Sequence, residues 1–131
     1  MSGTAGGESQ AARTADPCQA REVLGIVGDK WSLLIVRNLS RGPRRFTELK
    51  RAVDGISQRM LTVTLRGLER DGILTRTVRN VMPPHVSYEL TPMGMTLREA
   101  TAPLLEWSIT HLTHIDAARA AYDTRPDTPP A

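Results

Sequence analysis

Gly55-Ile-Ser-Gln-Arg-Met-Leu-Thr-Val-Thr-Leu-Arg-Gly-Leu-Glu-Arg-Asp-Gly-Ile-Leu74 reads as a short helix with a turn before it, a glycine stop after it and cations on one side. Ser57 is placed to cap backbone N–H groups that lack a helical partner, and Gly72 sits where a left-handed residue ends a helix. Between them Leu61, Leu65 and Leu68 recur at helical spacing and predict the buried face. Gln58, Arg59, Thr62, Val63, Arg66 and Arg70 are left outside. Arginine pairs bidentately with guanine or grips phosphate, glutamine suits adenine, and threonine or valine meets a thymine methyl. The outward set is therefore chemically able to read bases in a DNA groove. An ordinary amphipathic surface helix with a solvated charged face shares the pattern, so the helix alone leaves both readings open.

Its flanks separate them. Ile73-Leu-Thr-Arg-Thr-Val-Arg79 is rich in β-branched residues, Asn80-Val-Met-Pro-Pro84 breaks the chain, and in His85-Val-Ser-Tyr-Glu-Leu90 the apolar Val86, Tyr88 and Leu90 alternate with His85, Ser87 and Glu89. Two strands joined by a loop form a hairpin. A helical pair followed directly by a hairpin predicts a winged helix-turn-helix, mainly α with a small β-hairpin whose tip can lie along the sugar-phosphate backbone.

Charge placement agrees. From Arg41 to Arg79 the chain carries ten Lys or Arg against four Asp or Glu, while the remainder holds seven against ten, so the whole excess behind the net +3 lies in the segment proposed to face DNA. A basic membrane patch is the competing explanation, and no long apolar run, signal peptide or lipidation signal accompanies the cations. A chain of 131 residues holds one domain large enough to fold without disulfides or structural metal, and its single cysteine fits a reducing cytoplasm. Residues 1–15 are Gly, Ser, Thr and Ala with scattered charges, and residues 123–131 are proline and polar. Both are expected to be disordered tails around a domain at 16–122.

The core of that domain can be followed from its start. Asp16 is expected to cap a first helix with Pro17 at its first position and Gln19 completing a capping box, after which Val23, Leu24 and Val27 form a buried stripe ended by Gly28. Asp29 caps a second helix, Lys30 to Ser40, whose Trp31, Leu34, Ile35 and Leu39 recur at helical spacing while Leu33 and Val36 widen the apolar face. After Gly42-Pro43, Thr47 is expected to cap a short helix carrying Leu49, Ala52 and Val53, leaving Arg44, Arg45 and Thr47 where phosphates could be gripped.

Beyond the hairpin, Thr91-Pro92 matches a cap followed by proline in the first turn, and the helical pattern continues to about Tyr122. Pro103 lacks an N–H and is expected to kink or split this element. Leu97, Leu104, Leu105, Trp107, Ile109, Leu112 and Ile115 exceed what one side of a small domain can cover, which predicts a homodimer; a long helix wrapped around its own domain is the alternative.

Several motifs occur in order: Cys18, Val27-Gly-Asp-Lys-Trp-Ser-Leu-Leu-Ile-Val-Arg37, Gly42-Pro-Arg-Arg-Phe-Thr-Glu-Leu49, Gly55-Ile-Ser-Gln-Arg-Met-Leu61, Leu65-Arg-Gly-Leu-Glu-Arg-Asp-Gly72, Pro84-His-Val-Ser-Tyr-Glu-Leu-Thr91 and Trp107. Together they resemble the HxlR-type winged-helix transcriptional regulators, related in architecture to the MarR group, over roughly residues 18 to 112. The resemblance implies a homodimer on an inverted-repeat operator, with helix 57 to 71 in the major groove, the wing near the minor groove, and dimerisation through the first and last helices. Two positions depart from the family pattern: Pro17 precedes Cys18, where the family commonly has proline after the cysteine, and Gly67 stands where a bulkier polar residue is usual.

Cys18 is expected at the second helical position, where unpaired N–H groups, the positive dipole end and Arg21 favour a thiolate while Asp16 opposes it. The resemblance implies a sensor of electrophiles or oxidants; a small packed hydrophobe is the alternative. His111 and His114, spaced i, i+3, lack a third ligand, so no metal or other cofactor is expected. No nucleophile with a base and no phosphate loop appears, and an enzyme is not expected.

The expected function is sequence-specific binding of double-stranded DNA by a cytoplasmic homodimeric transcriptional regulator, a repressor in the first instance. Gln58, Arg59, Thr62, Val63 and Arg66 read bases, while Arg44, Arg45, Thr47, Ser57, Arg76, Arg79 and Asn80 hold the backbone. Effectors in view are a small electrophile or oxidant acting through Cys18, or an aromatic molecule in a dimer-interface pocket without redox chemistry. A winged-helix protein-interaction module is the other alternative.

Overall fold

Asp29 sets the centre of the domain in place. Its carboxylate accepts from the Trp31 backbone N–H at 3.0 Å and from the Ser32 hydroxyl at 2.9 Å, satisfying a helix start that would otherwise leave donors unpaired. The computed structural model describes residue 18 and residues 20–126. Its elements run α1 (Arg21–Gly28), α2 (Lys30–Leu39), β1 (Arg44–Arg45), α3 (Phe46–Ala52), α4 (Gln58–Arg70), β2 (Leu74–Arg79), β3 (His85–Leu90) and α5 (Pro92–Asp123). The core gathers Ile35, Val36 and Leu39 of α2, Leu49 of α3, Leu61, Leu65 and Leu68 of α4, Leu74 of β2 and Tyr88 and Leu90 of β3, with Val53, Ile56 and Ile73 from the connections. From α1 and α5, the partly buried Ile26 and Leu97 pack against it.

The wing pairs as its alternation predicts, antiparallel from Leu74 opposite Leu90 to Arg79 opposite His85. A third strand was not anticipated. Arg44 and Arg45 add to the other edge of β3, opposite Tyr88 and Ser87, giving the order β1-β3-β2. The short helix after β1 is not capped by Thr47: it starts at Phe46, and Glu48 reaches back so that its Oε1 accepts the Arg45 backbone N–H at 2.9 Å. A carboxylate in the first turn does the work that the Thr47 hydroxyl was expected to do, so Thr47 stays exposed.

Two expectations about the terminal helices need correction. The Asp16, Pro17 and Gln19 capping scheme lies outside the described residues, as does the Val27 side chain, and α1 begins at Arg21. Val23 and Leu24 are not buried but 63% and 58% exposed, because none of the other described residues covers that side of α1. Helix α5 is not split at Pro103. The ring removes one ladder hydrogen bond from a helix of 32 residues, and the bonds on either side hold the helix together. Thr91 caps it as expected, accepting from the Gly94 N–H at 3.0 Å, and its hydroxyl also meets the Gly72 carbonyl at 2.6 Å, fastening α5 to the end of α4. Gly94 permits that approach: a methyl group there would overlap the Ile73 carbonyl oxygen and stand 3.1 Å from a Leu90 methyl.

Candidate nucleic-acid interface

Helix α4 is held at both ends. The Ser57 hydroxyl accepts from the Met60 N–H at 3.0 Å. At the other end Gly72 takes a φ of +77°, its N–H donates to the Glu69 carbonyl at 3.0 Å, and the Ile73 N–H donates to the Leu68 carbonyl at 2.9 Å. These are the paired bonds of a Schellman stop, and they define the length of the rod that projects from the domain. With Leu61, Leu65 and Leu68 at most 2% exposed, the helix has one rotational setting, and Gln58, Arg59, Val63, Arg66 and Arg70 face solvent. Thr64 is also buried, its hydroxyl returned to the Met60 carbonyl at 2.7 Å. The Thr62 hydroxyl is likewise turned back, donating to the Gln58 carbonyl at 2.9 Å.

Seven of the twelve base-reading and backbone candidates fall into two neighbouring clusters. One groove, between α4 and the sheet, is lined by Gln58, Thr62, Arg66 and Glu69 from α4, Arg76 from β2, and the Phe46 and Tyr88 rings. Arg76 stands opposite Tyr88 in the ladder, so it shares the α4-facing side of the sheet and lies in the same groove as Gln58, Thr62 and Arg66. A second pocket, at the root of the wing, contains Arg44, Arg45 and Arg79 with Glu48, His85 and Ser87. The Arg45 guanidinium meets the His85 ring there, and Arg44 lies 3.8 Å from Glu48. Arg59 and Val63 are exposed on α4 outside the groove lining, Asn80 is exposed at the start of the wing loop, and Thr47 lines neither pocket. Sequence reasoning passed over Glu69 and His85. Glu69 joins from the same helical row as Gln58, Thr62 and Arg66, while His85 is set beside Arg79 by the hairpin register and beside Arg45 by long-range pairing.

Cys18 does not occupy the second position of a helix. It precedes α1, exposed, with its carbonyl accepting the Arg21 N–H at 3.3 Å, because the helical hydrogen bonding begins three residues later. His111 is turned onto its own helix, stacked on Trp107 with ring centroids 4.7 Å apart and Nδ1 2.9 Å from the Trp107 carbonyl. Among the described residues no three His, Cys, Asp or Glu side chains gather for a metal ion, and no helix is long and apolar enough to cross a membrane.

A helix-turn-helix backed by a three-stranded wing, with cations concentrated on the exposed helix and the wing root, defines a DNA-binding transcription regulator of the winged-helix class. Residues 26–116 match the HxlR-like helix-turn-helix family, and the chain belongs to it. The chain is 42% identical over 105 residues to the HTH-type transcriptional regulator YtfH of Escherichia coli, covering 80% of this chain and 83% of the relative. Among solved structures it resembles the transcriptional regulator ytfH of Salmonella typhimurium, with a TM-score of 0.71 and 40% identity across 81% of this chain and 95% of the other. It also resembles the redox regulator HypR in its oxidized form, with a TM-score of 0.66 and 39% identity across 71% of this chain and 96% of the other.

Proposed function

We propose that the protein is a repressor that binds an inverted-repeat operator in the cytoplasm as a homodimer, with residues 16–122 as the functional unit and short tails at either end. The observation that carries this reading is the setting of α4, which buries Leu61, Leu65 and Leu68 and turns Gln58, Arg59, Val63 and Arg66 outward. In a major groove these four, with the Thr62 methyl, meet base edges, while Arg44, Arg45, Thr47, Ser57, Arg76, Arg79 and Asn80 fix register on phosphates. Exposed Val23 and Leu24 on α1 and Trp107, Ile109 and Leu112 on α5 supply the apolar surface for a second copy. Two α4 helices related by a two-fold axis reach half-sites about 34–36 Å apart or a multiple of that spacing.

Selection of bound sequences from a random duplex pool tests the reading. An inverted repeat is expected. Sequence-insensitive binding lost at moderate salt points instead to a protein-interaction module. For control of binding, the similarity to a protein named a redox regulator and the exposed position of Cys18 support a thiol switch. Diamide is then expected to release wild-type protein from operator and to leave Cys18→Ser bound; equal responses end that part of the proposal. A second reading, response to a small apolar or aromatic molecule, is favoured by a groove between α1 and α5 lined by Val23, Ile26, Ile73, Met93, Leu97 and Ala100. That groove abuts Arg70 and Asp71 at the end of α4, so a ligand there could tilt the reading helix.

A further inference from the structure

The pocket at the wing root gathers more positive charge than it neutralises. Arg79 and His85 are direct cross-strand partners, and Arg45 pairs with Ser87 on the other edge, so all four project from one face of the sheet. Arg44, opposite Tyr88 and so on the other face of the sheet by register, also lines the pocket at the β1 edge, and the one carboxylate lining it among the described residues is Glu48 of α3. That carboxylate is already engaged by the Arg44 side chain and the Arg45 backbone N–H. Further along the same sheet face, Thr75 and Thr77 of β2 are neutral and Glu89 of β3 sits two residues beyond Ser87, outside the pocket lining. Three guanidiniums facing one shared carboxylate are arranged for an anion.

His85 gives the pocket a property the arginines lack. Its imidazole lies against the Arg45 guanidinium and, unlike a guanidinium, can gain or lose a proton near neutral pH. A phosphate seated among these groups favours the charged ring, which donates from both nitrogens.

Resting on the DNA-binding reading above, we propose that this pocket seats one phosphate of the DNA backbone and that His85 takes up a proton from solvent as it does so and donates toward the phosphate oxygen. His85 is thereby a phosphate-binding residue, and operator binding is linked to the uptake of one proton. The sign follows from the higher proton affinity of the ring in the complex. Binding tightens as pH falls through the range where the bound ring titrates, and the gain is complete once the free ring is also protonated.

The test is operator affinity between pH 8 and pH 6 at constant ionic strength, using full-length protein. Wild type is expected to bind roughly three- to tenfold more tightly at pH 6, for a one-proton linkage whose ceiling is about tenfold per pH unit. His85→Asn is expected to show a flat profile with an unchanged melting temperature, whereas His114→Gln keeps the wild-type slope. An operator carrying one neutral methylphosphonate at the seated phosphate is expected to flatten the wild-type profile, which assigns the effect to the backbone and not to free anions. A slope that persists in His85→Asn, or a flat wild-type profile with sequence-specific binding intact, overturns the inference and leaves the base-reading proposal standing. Absence of any duplex binding removes both.

Discussion

Helices α4 and α5 solve opposite problems. Helix α4 is 13 residues long and hides its leucines, so what it offers to the outside is guanidinium, amide and methyl. Helix α5 is 32 residues long, buries only Gly94 and Thr101, and leaves Leu104, Trp107, Ile109 and Leu112 between 45% and 60% exposed. Water-exposed apolar side chains in a row are unfavourable unless something covers them, at about 25 cal/mol for each Å². A rod that shows charge suits a polyanion, and one that shows leucine and tryptophan is the surface on which the proposed second copy would rest. The two helices meet at Thr91, whose hydroxyl links the start of α5 to the Gly72 carbonyl just past α4, so a shift of one is felt by the other.

The contrast is broken most forcefully from inside α4. Leu65 is 1% exposed in the centre of the core, and Leu65→Ala is expected to lower unfolding free energy by about 2–5 kcal/mol, read from urea titration. A loss below about 1 kcal/mol would mean that α4 is not anchored by this face and that its outward set is not fixed.

On α5 a charge should separate copies without unfolding either. Leu112→Glu puts a carboxylate on a position that is 57% exposed in the single chain. If two copies bury it, sedimentation should find monomers where wild type is dimeric, and full-operator affinity should fall by about a hundredfold as the linked second half-site is lost, with half-site affinity unchanged. An unchanged sedimentation coefficient would return α5 to the alternative of a helix serving its own domain.

Within the DNA-facing surface the exposed face of α4 and the wing can be told apart. Arg59→Ala is expected to cost roughly 1–3 kcal/mol and to relax preference at particular base pairs, whereas Arg79→Ala weakens binding to all sequences and lowers the salt slope by about one. Uniform losses from both substitutions would show that α4 lies across the backbone and does not enter the groove.

Much of this was legible in the residues, and the exceptions share a cause. The leucine spacing of α4, the alternation of β3 and the caps at Asp29, Ser57 and Thr91 are local patterns, and local patterns survive in the linear text. Strand β1 does not, since two arginines carry no period and become a strand only because β3 offers a free edge. Val23 and Leu24 show the limit of periodicity: it finds the apolar stripe of α1, and cannot tell whether the body covering it belongs to the same chain. Thr47 is a good capping residue outcompeted by Glu48 from one position further on. The hairpin places His85 opposite Arg79, but its contact with Arg45, forty residues away, is one that no spacing rule connects.

The smallest expected effect decides how Thr62 would read DNA. Threonine can offer a hydroxyl to a base edge or a methyl to thymine, and from sequence the two are equivalent. In the folded chain the hydroxyl is already spent on the Gln58 carbonyl at 2.9 Å, a bond that costs nothing to keep in the groove and must be broken before the oxygen can face a base. The methyl is then the group presented outward. Replacing the hydroxyl with a second methyl should therefore leave operator affinity within about 0.5 kcal/mol, since no base contact and only one intrahelical side-chain bond is removed. Thr62→Ser, which keeps the hydroxyl and deletes the methyl, should lose more than Thr62→Val, and only at operators with thymine at the facing position. If valine instead proves the more damaging of the two, the hydroxyl rotates toward the bases on binding, and α4 in the complex differs from α4 alone.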